Sequence, residues 1–258
     1  MHIISLQNPK VKYIVKLRED KRVRQHDGRM LVEGYDELAV ALASGLKPES
    51  LFIAPELATQ TINIESVEIT TVSPAVFKKM SYRDNPDGWL GIFPIPKISL
   101  EDIHLPQTPL VIVTESIEKP GNLGAILRTA DATGVDVVIV CDPRVDIWNP
   151  NVVRASRGAL FTVPTVEVES LTALAWLRSK KMRILAATPS ANVLYTDVNL
   201  NEPIAIAVGT EDTGLTNFWM SNSDMKVKIP MAGKVNSLNV SIATALFAYE
   251  TVRQRRTK

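Results

Sequence analysis

Three features of the chain predict an α/β protein in two parts. Five short, Val/Ile-rich runs alternate with helical segments in its second half, a smaller mixed set of strands and helices precedes them, and a proline-rich stretch divides the two. In the first part a basic helix is expected over residues 9–25, then a strand Met30-Leu31-Val32-Glu33, a helix over 36–43, strands at 51–54 and 67–72, a short helix after Pro74, and a strand over 89–93. Residues 93–109 carry four prolines and neither helical nor strand periodicity, so 96–108 is read as a linker between a domain at 1–95 and another at 109–258. Downstream, runs at 110–114, 137–140, 183–187, 204–208 and 227–229 are nearly continuous Val, Ile and Ala, which is how strands covered on both faces of a parallel sheet read. There is no internal repeat and no low-complexity segment.

The stretch 226–250 is the most informative. Val227, Ile229 and Met231 form a short apolar strand that Pro230 stops, Gly233 permits a sharp turn, and Ser237 and Asn239 open a helix with Leu238, Ile242, Ala245, Leu246 and Tyr249 at helical spacing. Ser237 and Asn239 are suited to capping that helix, and free N–H groups at a helix start also suit a polar ligand.

With 258 residues, 45% hydrophobic and 22% charged, the chain has the composition of a folded globular protein. The N-terminus lacks a basic segment followed by an apolar run, and no apolar stretch reaches spanning length, so a cytoplasmic protein is expected. The single Cys141 follows an apolar run and reads as a buried thiol; three scattered histidines and one cysteine give no zinc spacing, so no metal is expected. The net charge of +1 hides an asymmetry: residues 1–30 carry eight basic and three acidic side chains, a balance of +5, which leaves −4 for the rest. Arg253, Arg255, Arg256 and Lys258 close the chain. Such basic ends are either solvated helix faces or contacts for a phosphate backbone.

In a parallel sheet, ligands bind beyond the carboxyl ends of the strands. Three post-strand loops are distinctive: Glu118-Lys-Pro-Gly-Asn-Leu-Gly-Ala-Ile-Leu-Arg128, Gly209-Thr-Glu-Asp-Thr-Gly214, and the loop ending in Ser237-Leu-Asn-Val-Ser241. Neither a dinucleotide G-x-G-x-x-G nor a phosphate-binding P-loop is present, and no G-x-S-x-G elbow appears. What remains is an arginine within a helix, a Gly-flanked glutamate and a Ser/Asn loop. Taken alone, Arg128 also reads as a surface residue paired with Asp131, and Glu211 as a helix-start carboxylate.

Taken together and in order, these segments resemble the three motifs of the SpoU (TrmH) family of the SPOUT superfamily, RNA ribose 2′-O-methyltransferases that use S-adenosylmethionine. Asn122, Arg128 and Gly134 match the first motif, Gly209, Glu211 and Gly214 the second, and Ile229-Pro-Met231 with Ser237 to Ser241 the third; Arg154-Ala-Ser-Arg-Gly-Ala159 resembles a further family segment. The likeness spans about residues 108–254. Residues 8–93 are similar to the L30e-like RNA-binding domain often fused ahead of that catalytic domain.

The resemblance implies a deep trefoil knot in the second part, with Gly209, Thr210, Ile229, Met231 and Leu238 holding S-adenosylmethionine through backbone groups. It implies catalytic roles for Arg128, Asn122, Glu211, Ser237 and Asn239. A guanidinium about 4 Å from the ribose oxygen would stabilise developing alkoxide by roughly 4 kcal/mol at an effective dielectric of about 20, about three pKa units. It further implies a homodimer, with Phe247 and Tyr249 among the residues for its interface, and RNA contacts from Lys12, Lys16, Arg22, Arg29 and Arg154. Ribosomal RNA is the expected substrate, with transfer RNA, a non-catalytic ribosome-assembly role and a small-molecule α/β enzyme as alternatives.

Overall fold

A computed structural model of the chain describes residues 2–62, 64 and 67–256. It contains two compact units: residues 1–97 with 146–162, and residues 98–145 with 163–258. Lys258, named in the basic cluster near the end of the sequence, lies outside the described residues.

The first unit begins with β1 (His2–Ile3) and α1 (Pro9–Glu19). Proline occupies the first turn of α1, and the Asn8 carboxamide accepts the Lys10 N–H at 2.9 Å, a cap that starts the helix. The single basic helix expected over 9–25 is two. Asp20 takes an extended conformation and accepts the Arg22 N–H at 2.8 Å, which caps a separate α2 (Lys21–Asp27) that ends on Gly28 in the left-handed region. There follow β2 (Arg29–Glu33), α3 (Tyr35–Ala43), β3 (Ser50–Ile53), β4 (Ile69–Val72), α4 (Pro74–Met80) and β5 (Trp89–Pro94). The strands form a mixed sheet in the order β1-β4-β3-β5-β2, antiparallel only where β5 pairs with β3 and β2. Ile14, Leu17, Phe52, Phe77 and Leu90 are among the residues of its core.

The second unit starts inside the stretch expected as a linker. Ser99 and Asp102 form a capping box on a short turn, and Leu100 and Ile103 pack into the core of this unit. Its strands are β6 (Leu110–Glu115), β7 (Val137–Cys141), β8 (Thr165–Val168), β9 (Arg183–Ala187), β10 (Val193–Leu194), β11 (Ile204–Val208) and β12 (Met225–Lys228). They make an all-parallel sheet in the order β10-β12-β9-β11-β6-β7-β8. The five strands expected from the sequence are the five central ones; the edge strands β8 and β10 are the additions. β12 ends at Lys228, so Ile229 and Met231 belong to the loop and not to the strand. The helices of this unit are α5 (Pro120–Thr133), α8 (Ser170–Ser179), α9 (Asn217–Asn222) and α10 (Val240–Arg256); α6 (Pro150–Ser156) and α7 (Ala159–Thr162) belong to the first unit.

Inside the first unit a buried ion pair ties the 146–162 segment down. Arg24, expected as part of a basic face, is 2% exposed. Its Nε donates to Asp146 Oδ2 at 2.7 Å, and its Nη1 donates to the carbonyls of Leu17 and Arg18. The basic cluster at the end of the chain is likewise largely structural: Arg253 pairs with Glu250 at 2.7 Å, and Arg255 donates to the carbonyls of Leu200, Pro109 and Glu202.

Candidate functional site

At the carboxyl ends of three neighbouring strands, β12, β9 and β11, a cleft of about 500 Å³ opens in the second unit. That volume lies in the range of small-molecule sites, about 300–1,000 Å³. Its walls come from the loops after those strands: 187–190, 209–215, and the 229–238 segment, backed by Val240, Ala243 and Phe247 of α10. Gly209, Thr210, Ile229, Met231 and Leu238 all line it, as do Glu211 and Ser237.

The 209–214 loop owes its shape to two glycines. A Cβ on Gly209 would lie 2.1 Å from the Gly214 carbonyl carbon and 2.3 Å from the Leu215 nitrogen, so only glycine lets the two backbone strands of the loop approach. Gly214 has φ +69°, in the left-handed region. Between them Thr210 and Gly214 exchange backbone hydrogen bonds at 3.2 and 3.0 Å, and the Thr210 hydroxyl accepts the Thr213 N–H at 3.2 Å. The closed turn presents Glu211 at its apex. A second clamp, absent from the sequence reading, fixes the far end: the buried Glu115 carboxylate at the end of β6 accepts the Thr216 N–H and hydroxyl, each at 2.7 Å.

Glu211 is the hub of a cluster built from three loops. Asn122 Nδ2 donates to Glu211 Oε1 at 3.0 Å, Asn239 Nδ2 donates to Asn122 Oδ1 at 3.1 Å and also to Glu211 Oε1, and Lys119 Nζ donates to Glu211 Oε2 at 2.6 Å. The N–H of Val240, first residue of α10, also reaches the Glu211 carboxylate. Glu211 is thus a helix-start carboxylate, at the start of α10. The Lys119 ammonium, with help from Asn122, holds the Glu211 carboxyl below the usual carboxylate range. Lys119, 70% exposed in its side chain, was not singled out by sequence; nothing in its position, between an acid and a proline, marks it.

Asn239 and Ser237 part company. The Asn239 carboxamide oxygen accepts the Ser241 N–H at 3.0 Å and the Ser241 hydroxyl at 2.6 Å, which makes it the cap of α10. Ser237 is exposed and three residues upstream of the helix, too far to cap it. Asn122 is not a cap either: α5 begins at Pro120, and the Asn122 side chain, in the first turn, reaches across to Glu211. Arg128 lies farther along α5, exposed, and among the described residues no ion pair holds it and no hydrogen bond joins it to the Asn122–Glu211–Asn239 cluster.

On α10 the apolar stripe inferred from sequence is exposed at Ile242 and Tyr249 and partly buried at Leu238, Ala245 and Leu246. Ile242 and Tyr249 are each 53% exposed, whereas Phe247 is 2% exposed and belongs to the core. The buried face is instead Val240, Thr244, Phe247, Ala248 and Thr251. Cys141 is buried at the end of β7, and burial pushes its thiol up to about 12, as suits an unreactive core residue.

In the first unit Lys12, Lys16 and Arg22 are exposed. Arg29 is committed, with its guanidinium donating to Glu49 at 2.6 Å and to the Tyr13 hydroxyl at 3.2 Å. Arg154 is exposed on α6 and is steadied by Asn151 Oδ1 at 2.8 Å. No helix among the described residues is long and apolar enough to cross a membrane, and no group of three or more His, Cys, Asp or Glu among them is placed to hold a metal ion.

The profile of the SpoU rRNA Methylase family matches residues 109–249, and that of the MRM3-like substrate binding domain matches residues 8–91. An uncharacterized tRNA/rRNA methyltransferase of Synechocystis is 34% identical, over 98% of this chain and 94% of its own length. Among solved structures, an RNA 2′-O ribose methyltransferase superposes with a TM-score of 0.87 at 37% identity, covering 99% of this chain and all of the other. The S-adenosylmethionine-bound rRNA methyltransferase of Sinorhizobium meliloti superposes with a TM-score of 0.89 at 29% identity, covering 98% and 97% of the two chains.

Proposed function

The chain belongs to the SpoU rRNA methylase family, and from that premise we propose that it transfers a methyl group from S-adenosylmethionine to a ribose 2′-hydroxyl of RNA, with ribosomal RNA as the substrate. The observation that carries this reading to the level of residues is the Asn122–Glu211–Asn239 cluster at the rim of an apolar-walled cleft, in which Asn122 comes from the helix that also bears Arg128.

The cleft suits the cofactor chemically. Ile229, Met231 and Leu238 offer apolar surface to a flat base and an aliphatic chain, and the Glu211 and Asp212 carboxylates at the cleft suit a sulfonium and an ammonium. A ligand without phosphates needs no glycine-rich phosphate loop. When bound, S-adenosylmethionine supplies an electrophilic methyl group.

Glu211 positions rather than deprotonates. Its carboxyl is held below the ordinary range, so it is a weak base against a ribose hydroxyl, and its fixed hydrogen bonds suit it to orient the nucleotide. Arg128, free of internal ion pairs among the described residues, is the cation available to the developing alkoxide. Ser237, which caps nothing, keeps its hydroxyl for substrate at the cleft wall. The first unit, through Lys12, Lys16, Arg22 and Arg154, grips the RNA, while Arg29 is occupied by Glu49.

We also assign an L30e-like fold to the first domain and a trefoil knot to the end of the second, on the strength of family membership. A homodimer through α10 is supported by the exposed Ile242 and Tyr249, with the partly buried Ala245 and Leu246 beside them. The reading carries with it a cytoplasmic site of action, where ribosomal RNA is modified. Incubation with labelled S-adenosylmethionine and deproteinised ribosomal RNA is expected to label ribose 2′-oxygens. RNA binding without label transfer would point to an assembly role, and label transfer to transfer RNA alone would change the substrate.

A further inference from the structure

In the first unit an exposed aromatic ring lies beside an arginine on a hydrogen-bonded scaffold. Tyr82, in the loop after α4, is 44% exposed, and the guanidinium carbon of Arg154 lies 5.8 Å from its ring centroid. The Tyr82 backbone and the Arg154 guanidinium are both held from behind. The Tyr82 N–H donates to the buried Glu33 carboxylate at 2.7 Å, and the same carboxylate takes the Ser81 hydroxyl and the Arg83 N–H. The Arg154 guanidinium donates through Nε and Nη2 to Asn151 Oδ1 at 3.3 and 2.8 Å, and the segment that carries it is anchored by the Arg24–Asp146 pair. Rigid placement of a ring and a planar cation removes the ordering cost that a floppy surface pair would impose on a ligand.

The surroundings indicate what kind of ligand. Lys78 and Lys79 are exposed at the end of α4, and Arg18 donates to the carbonyls of Lys79 and Ser81. The field is not uniformly positive, because Glu19 pairs with Arg18 and Asp84 is exposed nearby. A patch with mixed charge but a fixed π surface recognises its ligand by stacking more than by net charge. Bases inside a duplex are covered by their neighbours, so only an unpaired base fits.

We propose that Tyr82 and Arg154 form a stacking platform for one unpaired nucleobase of the RNA substrate, an inference that rests on the RNA reading above. The test uses the full-length protein at fixed salt and compares binding of a labelled mixed-sequence single-stranded 16-nucleotide RNA with that of the matching RNA duplex. Tyr82→Ala and Tyr82→Leu are expected to weaken single-strand binding by about tenfold or more, following the alanine-substitution cost of a stacked base, and to change duplex binding by less than about twofold. Tyr82→Phe, which keeps the ring, is expected to bind as the parent does. Parent-like single-strand binding by Tyr82→Leu, or an equal loss on single strand and duplex, overturns the platform while leaving RNA methylation standing. Failure of the parent protein to bind either RNA overturns the RNA reading and the platform with it.

Discussion

Replacing Arg24 by methionine is expected to destabilise the first unit by about 3–5 kcal/mol, the cost of stranding one member of a buried ion pair. Arg24 and Asp146 have side chains only 2% and 6% exposed and meet at 2.7 Å. The substitution leaves the Asp146 carboxylate buried with the Trp148 N–H at 3.1 Å as its remaining hydrogen bond among those in the structure, and it also strips a donor from the carbonyls of Leu17 and Arg18. Against a typical total stability of about 5–15 kcal/mol this is a large share. Removing both charges together, as Arg24→Met with Asp146→Leu, is expected to recover most of the loss, because the desolvation cost of the pair disappears along with its attraction. Urea unfolding followed by circular dichroism gives the free energies, and hydrogen exchange on peptides covering 146–162 reports whether that segment is what loosens. A single-variant cost below about 1 kcal/mol, or a double variant as unstable as the sum of the two singles, would refute the reasoning.

Three further outcomes are expected at the cleft. Arg128→Ala should lower the methyl-transfer rate by about a thousandfold, the equivalent of about 4 kcal/mol, while calorimetry finds S-adenosylmethionine affinity nearly unchanged; loss of cofactor binding would mean its role is misassigned. Because the Glu211 carboxyl is held below the ordinary glutamate value of 4.5, its ionised form and the stability it contributes persist through neutral pH and are lost only as pH falls through that lowered value. Removing the Lys119 ammonium by Lys119→Met should therefore move the acid limb of the rate profile upward, and an unmoved limb would separate Lys119 from Glu211. Gly209→Ala should force the 209–214 loop open against the Gly214 and Leu215 backbone, and it is expected to weaken S-adenosylmethionine binding by tenfold or more in the same calorimetric assay.

How much was legible in the sequence differs from element to element. The central strands β9, β11, β6 and β7 were legible because both faces are covered and nearly every position is apolar, whereas β12, with Lys226 and Lys228 around a single buried Val227, β8, with its exposed Glu167 position, and the two-residue β10 carry weaker runs. The break between α1 and α2 is masked in the sequence because the basic run continues across Asp20 from Lys16 to Arg24; the extended Asp20 backbone and its cap on the Arg22 N–H decided the matter. On α10 helical spacing says which residues share a side, but not whether that side meets the core or solvent: of the two residues expected at an interface, Tyr249 is exposed and Phe247 is buried. Arg24 and Arg29 were indistinguishable from Lys12 and Lys16 as members of a basic run, until Asp146 and Glu49, 122 and 20 residues away, claimed them.

By itself the sequence determined the fold class, the three loops proposed to carry the chemistry and the residue types in each, since short-range patterning and glycine placement act through neighbours along the chain. Only the tertiary structure decided that Lys119, Asn122, Glu211 and Asn239 form one hydrogen-bonded cluster, that Ser237 stands free, and that residues 146–162 fold with the first unit. Those outcomes depend on groups as far as 117 residues apart being brought within about 3 Å, a distance set by strand order and packing.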